Sequence, residues 1–180
     1  MKPTTLLKQQ HRKVITALKK MEKGKKALRT ELLEEISNDL AAHMAIEQEI
    51  FYPAIREVDE DMILESFEEH SIAELALKRL RATEPDSEAF RPRVVALREI
   101  LEHHIEEEED DLFPRVEKKI DEDELAALGS RMKARFEELQ EQGFEALVPD
   151  AMTQTSADVA KSSLEGPEGL ERYLGDAQVH

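Results

Sequence analysis

The sequence predicts an all-α fold: an up-and-down four-helix bundle with an extra C-terminal helix and a polar tail. The chain has 180 residues, of which 40% are hydrophobic and 37% charged, with only 6 Gly and no alternation typical of strands. Four successive segments repeat apolar residues in steps of three and four, the spacing of a bundle core. We expect the bundle over residues 1–120, the added helix over 121–148 and the tail over 149–180.

Each helix of the bundle is predicted to turn one apolar stripe, here called its seam, toward the centre. All four seams contain a histidine, and three contain a glutamate four residues later. In chain order the seams consist of Leu7, His11, Val14, Leu18 and Met21; Leu33, Ile36, Leu40, His43, Glu47, Ile50 and Ala54; Ile63, Phe67, His70, Glu74 and Leu77; and Val94, Leu97, Leu101, His104, Glu108 and Leu112.

The polar seam residues have the spacing of metal ligands. Residues i and i+4 lie on one helix face, about 6 Å apart along the axis, so Glu47 presents its carboxylate beside His43. A packed or surface histidine with a solvated glutamate explains any single case. Four such cases at one point would bury unpaired charges at several kcal/mol each, which favours metal binding over a purely structural bundle. His103 is about 100° off the seam and is expected at the surface.

The chain contains an internal repeat around these residues. An offset of 61 superposes His43 on His104, Glu47 on Glu108 and Pro53 on Pro114. An offset of 59 superposes His11 on His70. The sequence therefore predicts two helical hairpins, each contributing one His and one His-x-x-x-Glu to a shared site.

This order of motifs, with Phe-Tyr-Pro and Leu-Phe-Pro after the two paired motifs, resembles the hemerythrin-like (HHE cation-binding) domain family over roughly residues 4 to 120. The resemblance implies a bundle around two non-haem iron ions with an oxide or hydroxide bridge. Manganese and zinc are less favoured, zinc because it prefers four ligands. The implied ligands are His11, His43, Glu47, His70, His104 and Glu108. Respiratory hemerythrins carry His-x-x-x-His on the third helix and an Asp five residues after the His on the fourth, differences that disfavour reversible oxygen carriage.

Glu74 lies on the third seam, four residues after His70, whereas the equivalent residue of the first helix is Ile15. We expect Glu74 to be a seventh metal ligand, because a lone buried carboxylate is costly. The alternative is a solvated residue at the edge of the bundle. With Glu74 bound, about one of roughly twelve coordination positions would stay open.

The open position predicts a reaction with O2, peroxide or NO. Carboxylate-rich ligation favours redox turnover, so a catalase-like reaction of peroxide is slightly preferred. The alternative is a non-enzymatic protein that stores or senses oxygen, NO or iron. The sequence identifies no catalytic residue and leaves enzymatic activity, electron donor and oligomeric state open.

Charge and composition limit the other function classes. The net charge is −16, yet residues 1–30 carry ten Lys or Arg against one Glu. These basic residues cluster at a helix end without interleaved aromatics, which disfavours a nucleic-acid partner. The absence of Cys excludes disulfides and iron–sulfur clusters. No apolar run suits a signal peptide or a membrane span, so a cytoplasmic protein without membrane contact is expected.

Several residues are expected to support the site or to form the added helix. Asp39, Glu69 and Glu107 are candidate acceptors for the ligands' second ring nitrogens. Tyr52 is expected mainly to pack, with a hydrogen bond to the site as the alternative, and most of the acidic run 106–111 to be solvated. Asp121 with Glu124 resembles a capping box. It precedes a stripe of Leu125, Leu128, Met132, Phe136 and Leu139.

Overall fold

The computed structural model describes residues 1–150, 155–157 and 159–160, and this part of the chain contains helices and no strands. The helices are α1 (Pro3–Lys23), α2 (Lys26–Ile46), α3 (Tyr52–Ile55), α4 (Glu60–Arg81), α5 (Phe90–Glu107), α6 (Phe113–Lys119), α7 (Glu122–Gln142) and α8 (Phe144–Leu147). The π-helical turns Glu47–Phe51 and Glu108–Leu112 join α2 to α3 and α5 to α6.

The bundle consists of α1, the continuous α2–α3 and α5–α6 arms, and α4. Helix α1 packs against α2 and α5, while α4 packs against α5 and α2, which closes a ring of four helices. The seam residues are buried in two separate apolar clusters. One cluster contains Leu7 and Phe67 and the other contains Val14 and Leu77, so the seam histidines lie between two apolar layers. The predicted fold class is confirmed.

The π turns occur where each hairpin's His-x-x-x-Glu ends. The backbone N–H of Tyr52 donates to the carbonyl of Glu47, five residues earlier, and Phe113 donates to Glu108 in the same way. A proline follows each turn, and proline has no N–H and crowds the carbonyl four residues before it. A wider turn accommodates that ring, and π turns of this kind are frequent at functional sites.

The first π turn changes which residues after Ile50 face the core, so one seam prediction is wrong. Ala54 was predicted to face the core but is exposed, whereas Phe51, Tyr52 and Ile55 are buried. The wide turn adds one residue to the helix, so the apolar face after Ile50 moves by one position. A sequence pattern with a constant helical period does not predict this shift.

Helix α7 packs on the outside of the bundle against α1 and α2. Asp121 caps it by accepting the N–H groups of Asp123 and Glu124. Its buried face follows the predicted stripe, except that Phe136 is half-buried. Gly129 allows the helix to approach the N-terminus, since a Cβ there would lie 2.1 Å from the carbonyl oxygen of Met1.

The described residues of the predicted tail contact the bundle. Thr155 and Ala157 are buried, and the Thr155 hydroxyl lies 2.9 Å from that of Ser71 on α4. The rest of the predicted tail, including residues 161–180, lies outside the described residues. Among the helices that the structure describes, none is both long and apolar enough to cross a membrane.

Candidate metal centre

The structure brings six of the seven predicted ligands together between the apolar layers. Each of the six side chains is buried, with at most 6% of its residue exposed. Two groups of donor atoms, each within 4.8 Å of one another, share one carboxylate. The first group is His11, His43 and Glu47, and the second is Glu47, His70 and His104.

The two carboxylates lie between histidines of the two groups. Glu47 Oε2 is 3.2 Å from His43 Nε2 and 3.3 Å from His70 Nε2. Glu108 Oε2 is 3.4 Å from His11 Nε2 and 3.7 Å from His104 Nε2. Each glutamate therefore lies between a histidine of the first group and a histidine of the second.

Each histidine directs Nε2 into this centre because a second side chain holds its Nδ1. The distances to Nδ1 are 2.8 Å from Glu109 to His11, 2.8 Å from Gln10 to His43, 3.0 Å from Gln48 to His70 and 2.7 Å from Glu69 to His104. Such contacts fix the ring orientation and strengthen a metal-binding nitrogen. A glutamine can present either its oxygen or its nitrogen to the ring, so it serves either tautomer.

Of these four partners, only Glu69 was among the predicted acceptors. Asp39 instead pairs with Lys13, 2.5 Å away, and Glu107 lies 3.7 Å from the exposed ring of His103. Glu109 belongs to the acidic run 106–111, most of which was expected to be solvated, but it contacts His11 instead.

The internal repeat contained the signal for the missed partners. Gln10 precedes His11 as Glu69 precedes His70, and Gln48 follows Glu47 as Glu109 follows Glu108. Every partner is thus the sequence neighbour of a ligand on another helix.

Burial and mutual charge set the protonation of the metal-free centre. Burial lowers the pKa of His43 well below its usual value, and the neighbouring His11 lowers it further. Burial raises the pKa of Glu47, and the charge of Glu108 adds to that effect. Burial acts against ionisation of Glu108 too, but His104 and His11 outweigh it and lower its pKa. The pKa values of the two carboxyl groups are therefore shifted in opposite directions.

The unsatisfied atoms of the centre fit metal ions. His11 Nε2, both carboxylate oxygens of Glu47 and Oε2 of Glu108 are buried and make no hydrogen bond with the described residues. The Nε2 atoms of His70 and His104 face each other at 3.1 Å. Buried lone pairs in this arrangement are costly unless a cation lies between them. Nitrogen and oxygen donors without a thiolate suit divalent ions of octahedral preference.

Comparison with known proteins agrees with this chemistry. The family model described as Hemerythrin HHE cation binding domain matches residues 2–116. The chain belongs to the hemerythrin HHE cation binding domain family. It is a hemerythrin-like protein of a family that binds metal cations, and its His and Glu clusters can hold metal.

Two similar proteins can be compared with this HHE domain. The crystal structure of a hemerythrin HHE cation binding domain-containing protein from Mycobacterium kansasii, a Rv2633c homologue, is 24% identical, with a TM-score of 0.73. The likeness covers 89% of this chain and 99% of that one and shows a shared fold. A Nostoc protein named DNA nickase is 28% identical over 112 residues, 62% of this chain. The match spans only 32% of that relative.

Tyr52 contacts the centre of the HHE domain directly. Its hydroxyl donates to Glu108 Oε1 at 2.9 Å and lies 3.2 Å from His70 Nε2. Burial and the charge of Glu108 raise its pKa well above the usual value, so the phenol keeps its proton. Tyr52 packs as expected, 5.4 Å from the ring of Phe67, but the hydrogen bond to the site is also present.

Glu74 does not join the HHE centre, and the prediction of a seventh ligand is corrected. Its Oε1 lies 2.9 Å from the Lys78 ammonium, and its Oε2 accepts the backbone N–H and the hydroxyl of Ser156. No group of metal-ligating atoms among the described residues includes it. The solvated alternative is wrong as well, because Glu74 is fully buried. Its seam position predicted the burial, but its partners come from the next helical turn and from the C-terminal segment.

Proposed function

We propose that this HHE domain holds two iron ions and reacts with peroxide in a catalase-like manner. The proposed ligands are His11, His43, Glu47, His70, His104 and Glu108. The observation that carries the proposal is the pair of donor groups that share Glu47, with Glu108 in the equivalent place on the other side. Two linked sites with nitrogen and oxygen donors favour a pair of octahedral ions over tetrahedral zinc.

Bound iron supplies electrons for redox chemistry and exchangeable coordination positions for O2, peroxide or NO. The chain supplies the surroundings of that reaction. The apolar layers around Phe67 and Leu77 keep bulk water away from the centre. The partners on Nδ1 hold the rings in place, and Tyr52 offers a hydroxyl proton at Glu108 Oε1 and His70 Nε2.

The placement of Glu74 leaves four imidazoles and two carboxylates as the groups that would hold the iron ions. Because Glu74 pairs with Lys78 and Ser156, one protein ligand fewer than predicted would occupy the metal. More exchangeable positions would then be open to a small substrate such as peroxide.

The alternative is a protein that stores or senses oxygen, NO or iron without turnover. It shares the same ligands and differs only in what happens after binding. The similarity to the relative named DNA nickase does not support a DNA-directed activity for this chain. The match covers 32% of that relative, and a net charge of −16 disfavours contact with phosphates.

The test combines metal analysis with gas measurements on the full chain. Protein loaded with Fe(II) and desalted should contain two irons per chain and should evolve oxygen when peroxide is added, followed with an oxygen electrode. His43→Ala and Glu108→Ala should lose metal and activity, whereas the control His103→Ala should keep both, because the His103 side chain is 65% exposed.

Two outcomes would contradict the proposal at different levels. Fewer than about one iron per chain would reject the di-iron centre. Two irons without oxygen evolution, together with an oxygen adduct that dissociates under vacuum, would reject turnover and favour the binding protein.

A further inference from the structure

Helix α5 contains a second His-x-x-x-Glu pair, His103 and Glu107, one residue before the pair that faces the metal centre. One residue corresponds to about 100° of rotation around a helix, so the second pair lies on a different face. The ring of His103 is exposed, and the Glu107 side chain is partly exposed. The pair therefore repeats the ligand motif of the centre on the outer surface of the bundle.

Glu69 of α4 forms a group of three possible metal ligands with this pair. Nε2 of His103 lies 3.5 Å from Oε1 of Glu69 and 3.7 Å from Oε1 of Glu107, and one donor atom from each residue lies within 4.8 Å of the other two. Ligand atoms about 2.1 Å from a tetrahedral zinc ion lie about 3.4 Å apart, close to these distances. We propose that Glu69, His103 and Glu107 bind one divalent transition-metal ion, such as Zn²⁺, at the surface.

The charges of this surface group favour a cation. Among the described residues, no lysine or arginine forms an ion pair with Glu69 or Glu107, whose charged partners are imidazoles. Glu109, the ring partner of His11, differs in this respect, because Lys8 Nζ lies 4.0 Å from its other oxygen. A divalent ion would match the charge of the two carboxylates, and their mutual repulsion would be relieved.

The imidazole of His103 determines the class of ion. Mg²⁺ and Ca²⁺ prefer oxygen ligands, whereas zinc binds imidazole and carboxylate together. Three protein ligands and one water molecule would complete the four-coordinate geometry of zinc at an exposed position. Fe²⁺ binds such donors more weakly than Zn²⁺. Desalting should therefore remove iron from the surface group and leave the two ions of the buried centre.

Glu69 connects the surface group to the metal centre. Its Oε2 lies 2.7 Å from Nδ1 of His104, while its Oε1 faces His103. A cation at Oε1 would draw charge from the carboxylate, which would weaken its hydrogen bond to the His104 ring and make that ring a poorer ligand. Bound zinc should therefore lower the affinity of the centre for iron. The zinc site itself is independent of the proposed function, and only this effect on iron rests on it.

The first experiment titrates the iron-loaded, desalted full chain with Zn²⁺ by isothermal titration calorimetry, and iron content is measured afterwards. We expect one zinc ion per chain in addition to the two irons. An excess of Mg²⁺ should leave the affinity for zinc unchanged, because the imidazole does not favour Mg²⁺.

Three variants identify the ligands. His103→Ala and Glu107→Gln should each weaken zinc binding at least about tenfold, since even the loss of a residue that only supports a ligand costs about that much. The matched control Glu106→Gln removes the same charge from the next residue, which is exposed, and should leave zinc binding nearly unchanged. Thermal unfolding of each variant checks that it is folded.

The second experiment measures the connection to the centre. Iron affinity is determined by equilibrium competition with a chelator selective for Fe²⁺, with and without saturating zinc. Zinc should lower the iron affinity of the wild type at least about fivefold, the lower end of typical couplings between two sites. In His103→Ala, the same zinc concentration should leave iron affinity unchanged.

Three results would overturn the inference. Equal zinc affinity of folded His103→Ala and wild type would reject the site. Equal weakening by Glu107→Gln and Glu106→Gln, or competition by Mg²⁺, would show attraction to a negative surface instead of coordination. An equal loss of iron affinity in His103→Ala and wild type would show that zinc replaces iron at the centre, which would reject the connection through Glu69. Failure of the di-iron proposal is distinct, because it lowers iron content and leaves the dependence of zinc binding on His103 intact.

Discussion

The buried Glu74 carboxylate is the sharpest place to test the structure, because a metal ligand and an ion-pair partner predict different phenotypes. Glu74→Gln keeps the size of the side chain and one oxygen acceptor for Ser156, but it removes the charge opposite Lys78. The ion pair is almost inaccessible, with side-chain exposures of 1% for Glu74 and 7% for Lys78.

Breaking a buried ion pair by removing one partner costs about 3–5 kcal/mol. For a chain of this length, each kcal/mol lowers the melting temperature by about 2–4 °C, so Glu74→Gln should melt about 6–20 °C below the wild type. Iron content should stay at two per chain, since His70, the proposed ligand on the same helix, keeps its own contacts.

Calorimetric melting and metal analysis on the same preparations provide the assay. The double variant Glu74→Leu with Lys78→Met serves as the control, because replacing both partners of a buried pair by apolar residues is often neutral or stabilising. It should recover most of the lost stability. Loss of one iron from Glu74→Gln without a large drop in melting temperature would refute the assignment and restore Glu74 as a ligand.

Three further predictions concern the centre itself. Glu69→Gln should lower metal affinity about 10–100-fold, measured by chelator competition, because the carboxylate that orients His104 becomes a neutral amide. Tyr52→Phe should destabilise the metal-free protein by about 1.5–3 kcal/mol in urea unfolding, the usual value of a hydrogen bond to a charged group such as Glu108. Metal-free protein should lose stability as the pH falls below 6.5, and iron-loaded protein should lose at least as much over the same range, because its ligand histidines cannot take up protons without releasing the metal. In the metal-free protein, the pKa of His43 is lowered by burial in the folded state, so only the unfolded chain gains that proton. Melting temperatures between pH 7.5 and 5.5 check this.

The apolar seams and the burial of His and Glu side chains between them could be predicted from the sequence because both follow from helical periodicity. His11 and His104 lie where a constant spacing of three and four places them. Ala54 does not, because a π turn changes the period and only the paired Glu and Pro positions hint at it. Periodicity predicts which face of a helix a residue lies on, but it does not predict a change from an α-helical to a π-helical turn.

Contacts between distant residues were the other limit. The burial of Glu74 was predictable from its own helix, but Ser156 approaches it from a segment 82 residues away. The contact of Gln10 with a ligand ring could have been predicted from the sequence, since Gln10 corresponds to Glu69 in the repeat. A repeat that duplicates ligands also duplicates their neighbours, so the residues beside each ligand are the first candidates for ring partners.

Tyr52 makes the two halves of the duplicated centre chemically different. The repeat that superposes Glu47 on Glu108 superposes Tyr52 on Phe113, whose ring lies 6.0 Å from His11 and carries no hydroxyl. Each donor group has one histidine held by a carboxylate and one held by an amide, so the ring partners give both halves the same charge. The hydroxyl is what distinguishes them. A molecule bound between the two halves therefore meets a phenolic proton at one end and a hydrocarbon ring at the other.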